Sequence, residues 1–511
     1  MSTPSYETRT IEHLGLVAGM VDELGIAELI DKLIAQDRTQ RQVSIGQAVK
    51  AMILNGLGFA NRRLYLTPHF FQNKPTERLI APGIQAEHLH DDTLGKALDA
   101  LHRFGVSELF TLISHQAMQR LGLSPKQAHL DTTSFHVDGR YNGDEDATEG
   151  VIRIAHGYSR DHRPDLKQVV LELITENSSG IPLLMAPLSG NQDDTATTLQ
   201  ALQHTNVTWV MSVPATLSSA KELLGNLTPD DFSPLVAGYE VARVEVTYAE
   251  VPQRWLIIRS QAARKRARAA TERQLLKTSE AERKRFETLC RQEFSCEQDA
   301  LGALERYQQS CRVLSVSEVS VDEQRHYGKA GRPAKEALPE RVSYHLRGVL
   351  WARASLLEER LERASHFILA TNDVTGERLS NVALLQTYKD QANVERGFRF
   401  LKDPMFLAST LFLKKAERIM ALLMVMTLCL LVYAALEHRI RTTLARHSAT
   451  LPDQKGKPTH RPTARWVFEL FLDVHLLFIT TNSVQVLVMN LKSELKQLLA
   501  LLGPPYAEAY S

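Results

Sequence analysis

The sequence contains little cysteine and carries almost no net charge. Its four cysteines, Cys290, Cys296, Cys311 and Cys429, are few for 511 residues. Their spacing matches no paired zinc-binding pattern, and their scarcity predicts a reducing, cytoplasmic location. The formal net charge of +1 excludes a protein that is basic throughout. A surface for nucleic acid therefore has to be a local patch.

The sequence also lacks a recognisable targeting segment, because MSTPSYETRT at the N-terminus has no basic region followed by an apolar run. One stretch, IMALLMVMTLCLLVYAAL at 419–436, reaches transmembrane length without a charge. Basic residues flank it on both sides, with Arg418 before it and Arg439 and Arg441 after it. Interior helices of large proteins are apolar all round as well. We favour a buried core helix without membrane contact, and a membrane span is the alternative.

Length and composition indicate a folded protein with at least two compact units, and we expect three. Hydrophobic residues make up 44% of the chain and charged residues 23%, which argues against a largely disordered chain. A chain of 511 residues exceeds what one hydrophobic core usually serves. We divide it into five segments from the changes in its pattern, which are 1–125, 126–260, 261–360, 361–440 and 441–511.

The first two segments differ in the period of their apolar residues. Helical spacing recurs through 11–125, which predicts a helical N-terminal domain that either contacts DNA or serves as an interaction domain. From 127 the period becomes extended, and QAHLDTTSFHV, LKQVVLELITE and IPLLMAPLSG are predicted strands. The last two are separated by NSSG, a hairpin-type turn. The strand candidates VTWVMSVP, YEVARVEVTYAE and RWLIIRS follow, so that an α/β layer is expected.

The later segments begin with a long charged stretch. Residues 261–293 contain no Pro or Gly and hold ten Arg or Lys against five Glu, which predicts a long surface helix or helical hairpin. This helix either is solvated with internal charge pairs or faces nucleic acid. YGKAGRPAKE at 327–336 is a basic loop whose expected position is against phosphates or in a minor groove. As a single motif it is a weak signal for DNA binding. HFILATN at 366–372 returns to strand, and residues 441–511 are predicted to be helical.

Two places in the sequence hold carboxylates that need a partner. Asp131 is an isolated acid in the apolar strand QAHLDTTSFHV, where a charge costs free energy unless it is paired or binds a metal. Polar and basic loops at 156–168 and 189–194 bracket the next two strands. A hydrogen bond in a turn is the alternative role for a lone Asp.

The second place is YKDQANVERGFRFLK at 388–402, the pattern of a charged amphipathic helix. At about 100° per residue, one polar stripe roughly 60° wide contains Tyr388, Gln391, Glu395 and Lys402. The residues on its two sides are Val394, Phe398 and Leu401 on the apolar side and Arg399 on the other. This pattern holds a carboxylate at the margin of a buried face, and a solvated face beside a core face is the alternative.

Four stretches resemble one known family. LDTTSFHVDGRY, GYSRDHRPDLKQ, PLSGNQDD and YKDQANVERGFRFLK are similar to the DDE transposases of bacterial insertion sequences, in the branch with a Tyr, Arg, Glu, Lys signature on the last catalytic helix. The resemblance extends from the helical N-terminal segment to about residue 440. It implies an α/β ribonuclease H-like catalytic core, a helical N-terminal domain and an inserted basic helical/β subdomain.

The resemblance also implies site residues, a cofactor and a partner. Asp131 matches the first acid and Glu395 the third, both as ligands of Mg²⁺ (or Mn²⁺), whose paired ions activate the attacking oxygen and stabilise the leaving one. Tyr388, Gln391, Arg399 and Lys402 are expected to contact double-stranded DNA at element ends and target. Gln391 stands where the family usually has Arg, which replaces a bidentate phosphate donor by a neutral amide. Active relatives work as dimers, so a homodimer is expected.

The second catalytic acid of this family has no counterpart. In relatives it lies on a strand between the SGN loop and a strand like VTWVMSVPATL, whereas here TTLQALQ runs through HTN directly into VTWVMSVPATL. This indicates an internal deletion that removes the acid, its strand and the preceding helix. The nearby Asp193 and Asp194 belong to a loop that relatives have in addition to the second acid.

Three functions are compatible with this sequence. The first is a transposase with Mg²⁺-dependent strand cleavage and transfer activity that the deletion impairs. The second is a catalytically inactive, DNA-binding remnant of a transposase, and the third is a membrane protein anchored by 419–436.

Overall fold

The computed structural model describes residues 5–36, 41–59, 64–125, 127–137, 150–157, 165–191, 199–200, 202, 208–214, 217–327, 338–353, 365–390, 413, 415–481 and 483–511. The fold is mixed α/β and divides into two compact units. The first comprises Met1–Met211, Glu245–Arg254 and Thr371–Ser511, and the second Ser212–Val244 and Trp255–Ala370. The division into five segments stays a prediction.

The N-terminal segment is mainly helical. After the short strand β1 (Ser5–Thr10), its helices are α1 (Leu14–Leu24), α2 (Ile26–Leu33), α3 (Ile45–Leu57), α4 (Thr67–Phe71), α5 (Thr76–Leu79), α6 (Asp91–Phe104) and α7 (Val106–Arg120). Gly25, with φ of 63°, adopts the left-handed conformation that ends α1. Ser44 and Gln47 form a capping box that starts α3.

The sheet of the first unit is built from the strands that the sequence predicts. They are β2 (Gln127–Val137), β3 (Lys167–Glu176), β4 (Pro182–Leu188) and β5 (Thr208–Val213), in the order β4-β3-β2-β5. β2 and β4 are antiparallel to β3, whereas β5 is parallel to β2. The predicted hairpin between β3 and β4 is confirmed. Its turn is closed by the Glu176 carboxylate, which accepts the backbone N–H groups of Ser178 and Ser179.

In its described residues, the second unit combines strands with three helices and a long hairpin. Its elements are α8 (Ser218–Asn226), β6 (Ser233–Val236), β7 (Tyr239–Tyr248), β8 (Val251–Ser260), α9 (Gln261–Arg291), α10 (Glu297–Ser310), β9 (Leu314–His326), β10 (Arg341–Ala352) and β11 (His366–Thr371). The residues of β7 and β8 that fall within Glu245–Arg254, and Thr371 of β11, belong to the first unit. The strand order here is β11-β8-β7-β6, and β9 and β10 form a separate antiparallel hairpin. The predicted long charged helix is confirmed by α9, although its only buried residues, Glu282 and Phe286, lie in its last third.

The C-terminal segment returns to the first unit. Its elements are α11 (Asn381–Asp390), α12 (Ala416–Arg446), β12 (Leu451–Pro452), β13 (Pro458–Thr459), α13 (Ala464–Leu470), β14 (His475–Thr480), β15 (Val484–Met489), α14 (Ser493–Leu502) and α15 (Pro504–Ala507). The prediction that 441–511 is helical was incomplete. β14 pairs with β1 and β15 in a three-stranded sheet, and this long-range pairing is not visible in local helical spacing.

Helix α12 forms the centre of the first unit's core. Its most apolar 18-residue window has a mean hydropathy of 2.6 and is 94% buried inside the protein. α12 packs against α1, α3, α6, α7, β4, α13 and α14. Within the ranges described above, it is the one helix with the length and hydropathy of a membrane span. Its burial fits the predicted core helix, and the absence of membrane contact stays a prediction.

Candidate catalytic site

Asp131 lies inside the sheet of the first unit. It occupies β2, where its backbone pairs with that of Leu173 on β3. The last parallel pair between β2 and β5 joins His129 to Val210. Asp131 follows two residues later, towards the carboxyl end of β5. In open α/β sheets, ligands bind outside the carboxyl ends of the parallel strands, so this position suits a functional acid.

The end of β5 supplies no second acid. The stretch QHTNVTWVMSVPATL at 203–217 contains β5 and has neither Asp nor Glu. On the neighbouring strand β3, Glu172 is fully buried and its backbone pairs with that of Thr132. Sequence reasoning did not single out Glu172. Its position within the apolar run VVLELI was the available signal, because a buried carboxylate is costly unless it is paired.

Two of the polar loops predicted to bracket the strands meet at one end of the sheet. Ala155 and Gln168 exchange backbone hydrogen bonds, of 3.4 Å from Ala155 N and 2.9 Å from Gln168 N. The Gln168 side chain donates to the Gly190 carbonyl at 2.8 Å, and Gly190 N donates to the Arg153 carbonyl at 3.0 Å. Hydrogen bonds therefore connect the segment before β3, the segment after β4 and the start of β3 itself.

Glycine allows this close approach. A Cβ atom on Gly157 would overlap the carbonyl oxygen of Gly190, and one on Gly190 would overlap that of Gln168. The atoms that would be displaced belong to the backbone, which has little freedom to move within a packed sheet. The stretches GYSRDHRPDLKQ and PLSGNQDD thus each contain a glycine that this packing requires, because any side chain at that position would overlap the backbone.

A buried ion pair supports the helix that precedes Glu395 in the chain. Arg254 on β8 lies 3.7 Å from Asp373, and the two side chains are 1% and 4% exposed. Asp373 accepts backbone N–H groups from Gly376 at 3.2 Å, Arg378 at 3.1 Å and Leu379 at 2.7 Å. Because the carboxylate gathers several donors beside a cation, the loop after β11 has a defined shape.

The same arginine reaches the start of α11. Arg254 donates to the Asn381 side chain at 3.1 Å and to the Leu379 carbonyl. Ser380 caps the helix, since its hydroxyl accepts the N–H of Ala383 at 3.2 Å. At the other end of the loop, Asn372 accepts the backbone N–H of Trp209 on β5 at 3.1 Å. The beginning of α11 is therefore tied to β8, and the loop before it to β5.

Sequence reasoning missed Arg254 and Asp373. A signal was present for each: Arg254 interrupts the apolar strand VPQRWLIIRS, and Asp373 begins a DVTG turn. Nothing local indicates that these two residues meet, because they lie more than a hundred positions apart in the chain.

The predicted site residues differ in how far the structure describes them. For Asp131 it describes the backbone position alone. Tyr388 lies on α11, half-buried, beside the buried Leu384, Leu385 and Thr387. The remaining predicted residues lie outside the described ranges, namely Gln391, Glu395, Arg399 and Lys402, together with Asp193 and Asp194. The predicted meeting of Asp131 with Glu395 therefore stays a prediction.

Among the residues that the structure describes, no group of three or more His, Cys, Asp or Glu side chains is placed to hold a metal ion. Carboxylate oxygens are the ligands that Mg²⁺ prefers. Asp131 and Glu395 have the right chemistry for a Mg²⁺ site. They provide two acids, whereas the family that the sequence resembles has three.

Residues 6–115 match a family model described as a domain of unknown function, DUF4277, which covers well under half of the chain. No curated protein matches. The chain is similar to a solved structure of piggyBac transposase in a synaptic complex with hairpin DNA, at 9% identity over 91% of this chain and 82% of that one. The TM-score of 0.35 does not establish a shared fold.

Proposed function

We propose that this protein is a DDE-type transposase of a bacterial insertion sequence. It binds double-stranded DNA at element ends and catalyses Mg²⁺-dependent strand cleavage and transfer, at a level impaired by the loss of the second acid. The observation that carries this proposal is the position of Asp131, on a strand with an antiparallel neighbour on one side and the parallel strand β5 on the other. This arrangement suits the ribonuclease H-like core that the sequence motifs imply.

The proposed chemistry assigns the metal to two acids. Asp131 and Glu395 are the residues that would hold Mg²⁺ or Mn²⁺, and the ions would supply activation of the attacking oxygen and stabilisation of the leaving one. The anchored start of α11 supports this assignment, because Glu395 follows the end of this helix by five residues in the sequence. Two acids bind two divalent ions less well than three, which accounts for the impairment.

DNA contacts near the reacting bond are assigned to the same helix region. Tyr388, Arg399 and Lys402 supply a hydroxyl and two cations, and Gln391 supplies a neutral amide in place of the usual arginine. A homodimer that holds two DNA ends is part of the proposal.

The test is cleavage of a duplex that carries the sequences flanking the gene, with Mg²⁺ or Mn²⁺ present. Asp131→Asn and Glu395→Gln are compared with Asp230→Asn and Glu305→Gln, which change exposed acids of the second unit in the same way. We expect the first pair to abolish cleavage while DNA binding remains, and the control pair to cleave like wild type. Equal cleavage by wild type and Asp131→Asn would remove the proposed metal role.

A second candidate is a DNA-binding protein without catalysis, which the absence of any acid from 203–217 favours. It predicts an affinity for duplex DNA that falls steeply with salt, and no strand breakage by wild type with either metal ion. The same cleavage and binding assays distinguish the two candidates.

A further inference from the structure

Helix α9 presents five cations on one face. Their spacings along the helix are seven, four, seven and seven residues, and they are Arg266, Arg273, Lys277, Lys284 and Arg291. At about 100° per residue, the five side chains fall within a sector roughly 40° wide. All five residues are exposed. We call this set the cationic stripe.

The stripe lies opposite the face by which α9 packs. Glu282 and Phe286 are the buried residues of this helix, and their directions are about 160° and 200° from the centre of the stripe. The Glu282 carboxylate accepts backbone N–H groups of Arg312 at 2.7 Å and Leu314 at 2.8 Å. Phe286 lies against Tyr307, with ring centroids 5.3 Å apart. This packing fixes the rotation of the helix, so the stripe faces solvent.

The charges of the stripe are not neutralised within the described part of the protein, where none of its five side chains forms an ion pair. Arg273 donates to the Ala269 carbonyl one turn earlier, which leaves its charge intact. The outer half of the helix holds two acids, Glu280 and Glu287, both on the same side of the stripe. Five cations against two acids make this surface positive, although the whole chain is nearly neutral.

The length of the stripe matches a nucleic-acid duplex. From Arg266 to Arg291 it spans about 38 Å at 1.5 Å per residue, close to one turn of B-DNA at about 34 Å. A second copy of the chain does not fit, because like stripes repel and no apolar seam follows the stripe. A membrane surface does not fit either, because membrane-binding helices expose an apolar face and the inner face of α9 is packed in its last third.

From this charge pattern, we propose that α9 lies along the phosphate backbone of double-stranded DNA through the cationic stripe. The inference rests on the proposed function in taking DNA as the partner, but it is independent of the catalytic acids. It assigns to the second unit a sequence-independent contact that positions the duplex.

The test compares two variants of the same helix, each with five substitutions. The stripe variant is R266Q/R273Q/K277Q/K284Q/R291Q. The matched control is R264Q/K265Q/R268Q/R283Q/R285Q, which removes the same charge from positions at least about 100° away from the stripe. Binding of a labelled duplex of about three helical turns is measured by fluorescence anisotropy at several salt concentrations. Asp131→Asn is measured in parallel, and circular dichroism and size-exclusion chromatography check folding and assembly.

We expect the stripe variant to lower the slope of log affinity against log salt by about 2–4, at about 0.9 per lost phosphate contact. The control is expected to lower it by less than half as much. Equal losses in the two variants, or no loss in either, overturn the proposal. A stripe variant that changes the oligomeric state and not the affinity overturns it as well, and marks an interface between copies. If wild type binds no duplex, the proposed function itself fails. Normal binding by Asp131→Asn separates DNA positioning from catalysis.

Discussion

Arg254 and Asp373 form an ion pair in the interior of the first unit, 3.7 Å apart and almost without exposure. The pair joins strand β8 to the loop before α11, the helix that precedes Glu395 in the chain. Asp373 organises that loop through three backbone N–H groups, and Arg254 reaches the first residue of the helix. This charge pair thus fixes the start of the helix that precedes Glu395 in the chain.

Removal of one partner from this pair is expected to destabilise the first unit strongly. Asp373→Asn or Arg254→Met leaves an uncompensated buried charge, which typically costs about 3–5 kcal/mol of unfolding free energy. The double variant Arg254→Met/Asp373→Leu should recover part of that loss, since it leaves no charge behind. Urea unfolding followed by circular dichroism measures both.

Arg268→Gln is the control for this prediction. Arg268 pairs with Glu272 on the exposed side of α9, with side chains 65% and 47% exposed, so its removal should hardly change the urea midpoint. If Asp373→Asn behaves like Arg268→Gln, the interior pair does not hold the loop.

His13 is expected to make the protein sensitive to mild acid. Its ring stacks on Phe468 with centroids 4.2 Å apart, and Nε2 donates to the Leu57 carbonyl at 2.8 Å. Burial lowers the pKa of His13 to about 4, because the charged form loses its hydration. Below the ordinary pKa of about 6.5 the unfolded chain takes up the proton more readily than the folded one. His13 therefore stabilises the fold fully above pH ~6.5 and progressively less as the pH falls to ~4, by up to about 3 kcal/mol.

The measurement is the urea midpoint at pH 7 and pH 5 for wild type and His13→Gln. The amide of glutamine can still donate a hydrogen bond but has no proton to gain in this range. We expect the loss of stability from pH 7 to pH 5 to shrink by about 2 kcal/mol in the variant. His447→Gln, at an exposed position of the same unit, should keep the wild-type loss. An equal loss in wild type and His13→Gln would contradict the prediction.

Gly190→Ala is expected to disrupt the junction of the polar loops with β3. The added methyl group would overlap the Gln168 carbonyl oxygen, so the backbone has to shift, at a cost of about 3 kcal/mol. Thermal unfolding measures the loss. The matched control is Gly302→Ala in the interior of α10, where a Cβ meets no atom within 4 Å. There alanine should stabilise the helix by up to about 1 kcal/mol. A similar change in thermal stability in both variants would show that the packing around Gly190 does not require a residue without a side chain.

Much of the fold was predictable because the interactions that decide it are local. Alternating or continuous apolar residues predicted β2, β3 and β4, and NSSG predicted the turn that joins the last two. A stretch without Pro or Gly predicted α9, and an apolar run between basic flanks predicted the core helix α12. The strands β14 and β15 were missed because their stability depends on pairing with β1, hundreds of residues earlier in the chain.

The candidate site, like the fold, was predictable from the sequence only where local pattern decides it. The residue type and setting of Asp131 singled it out from the sequence alone, because an isolated acid in an apolar strand needs a partner. The sequence also determined the spacing of the cationic stripe, since the helical period is a local property. Only the tertiary structure decided that Arg254 meets Asp373, that Gly157 approaches Gly190, and that the stripe faces solvent. Such contacts depend on chain closure over long separations and on the burial of opposite faces, which no local pattern specifies.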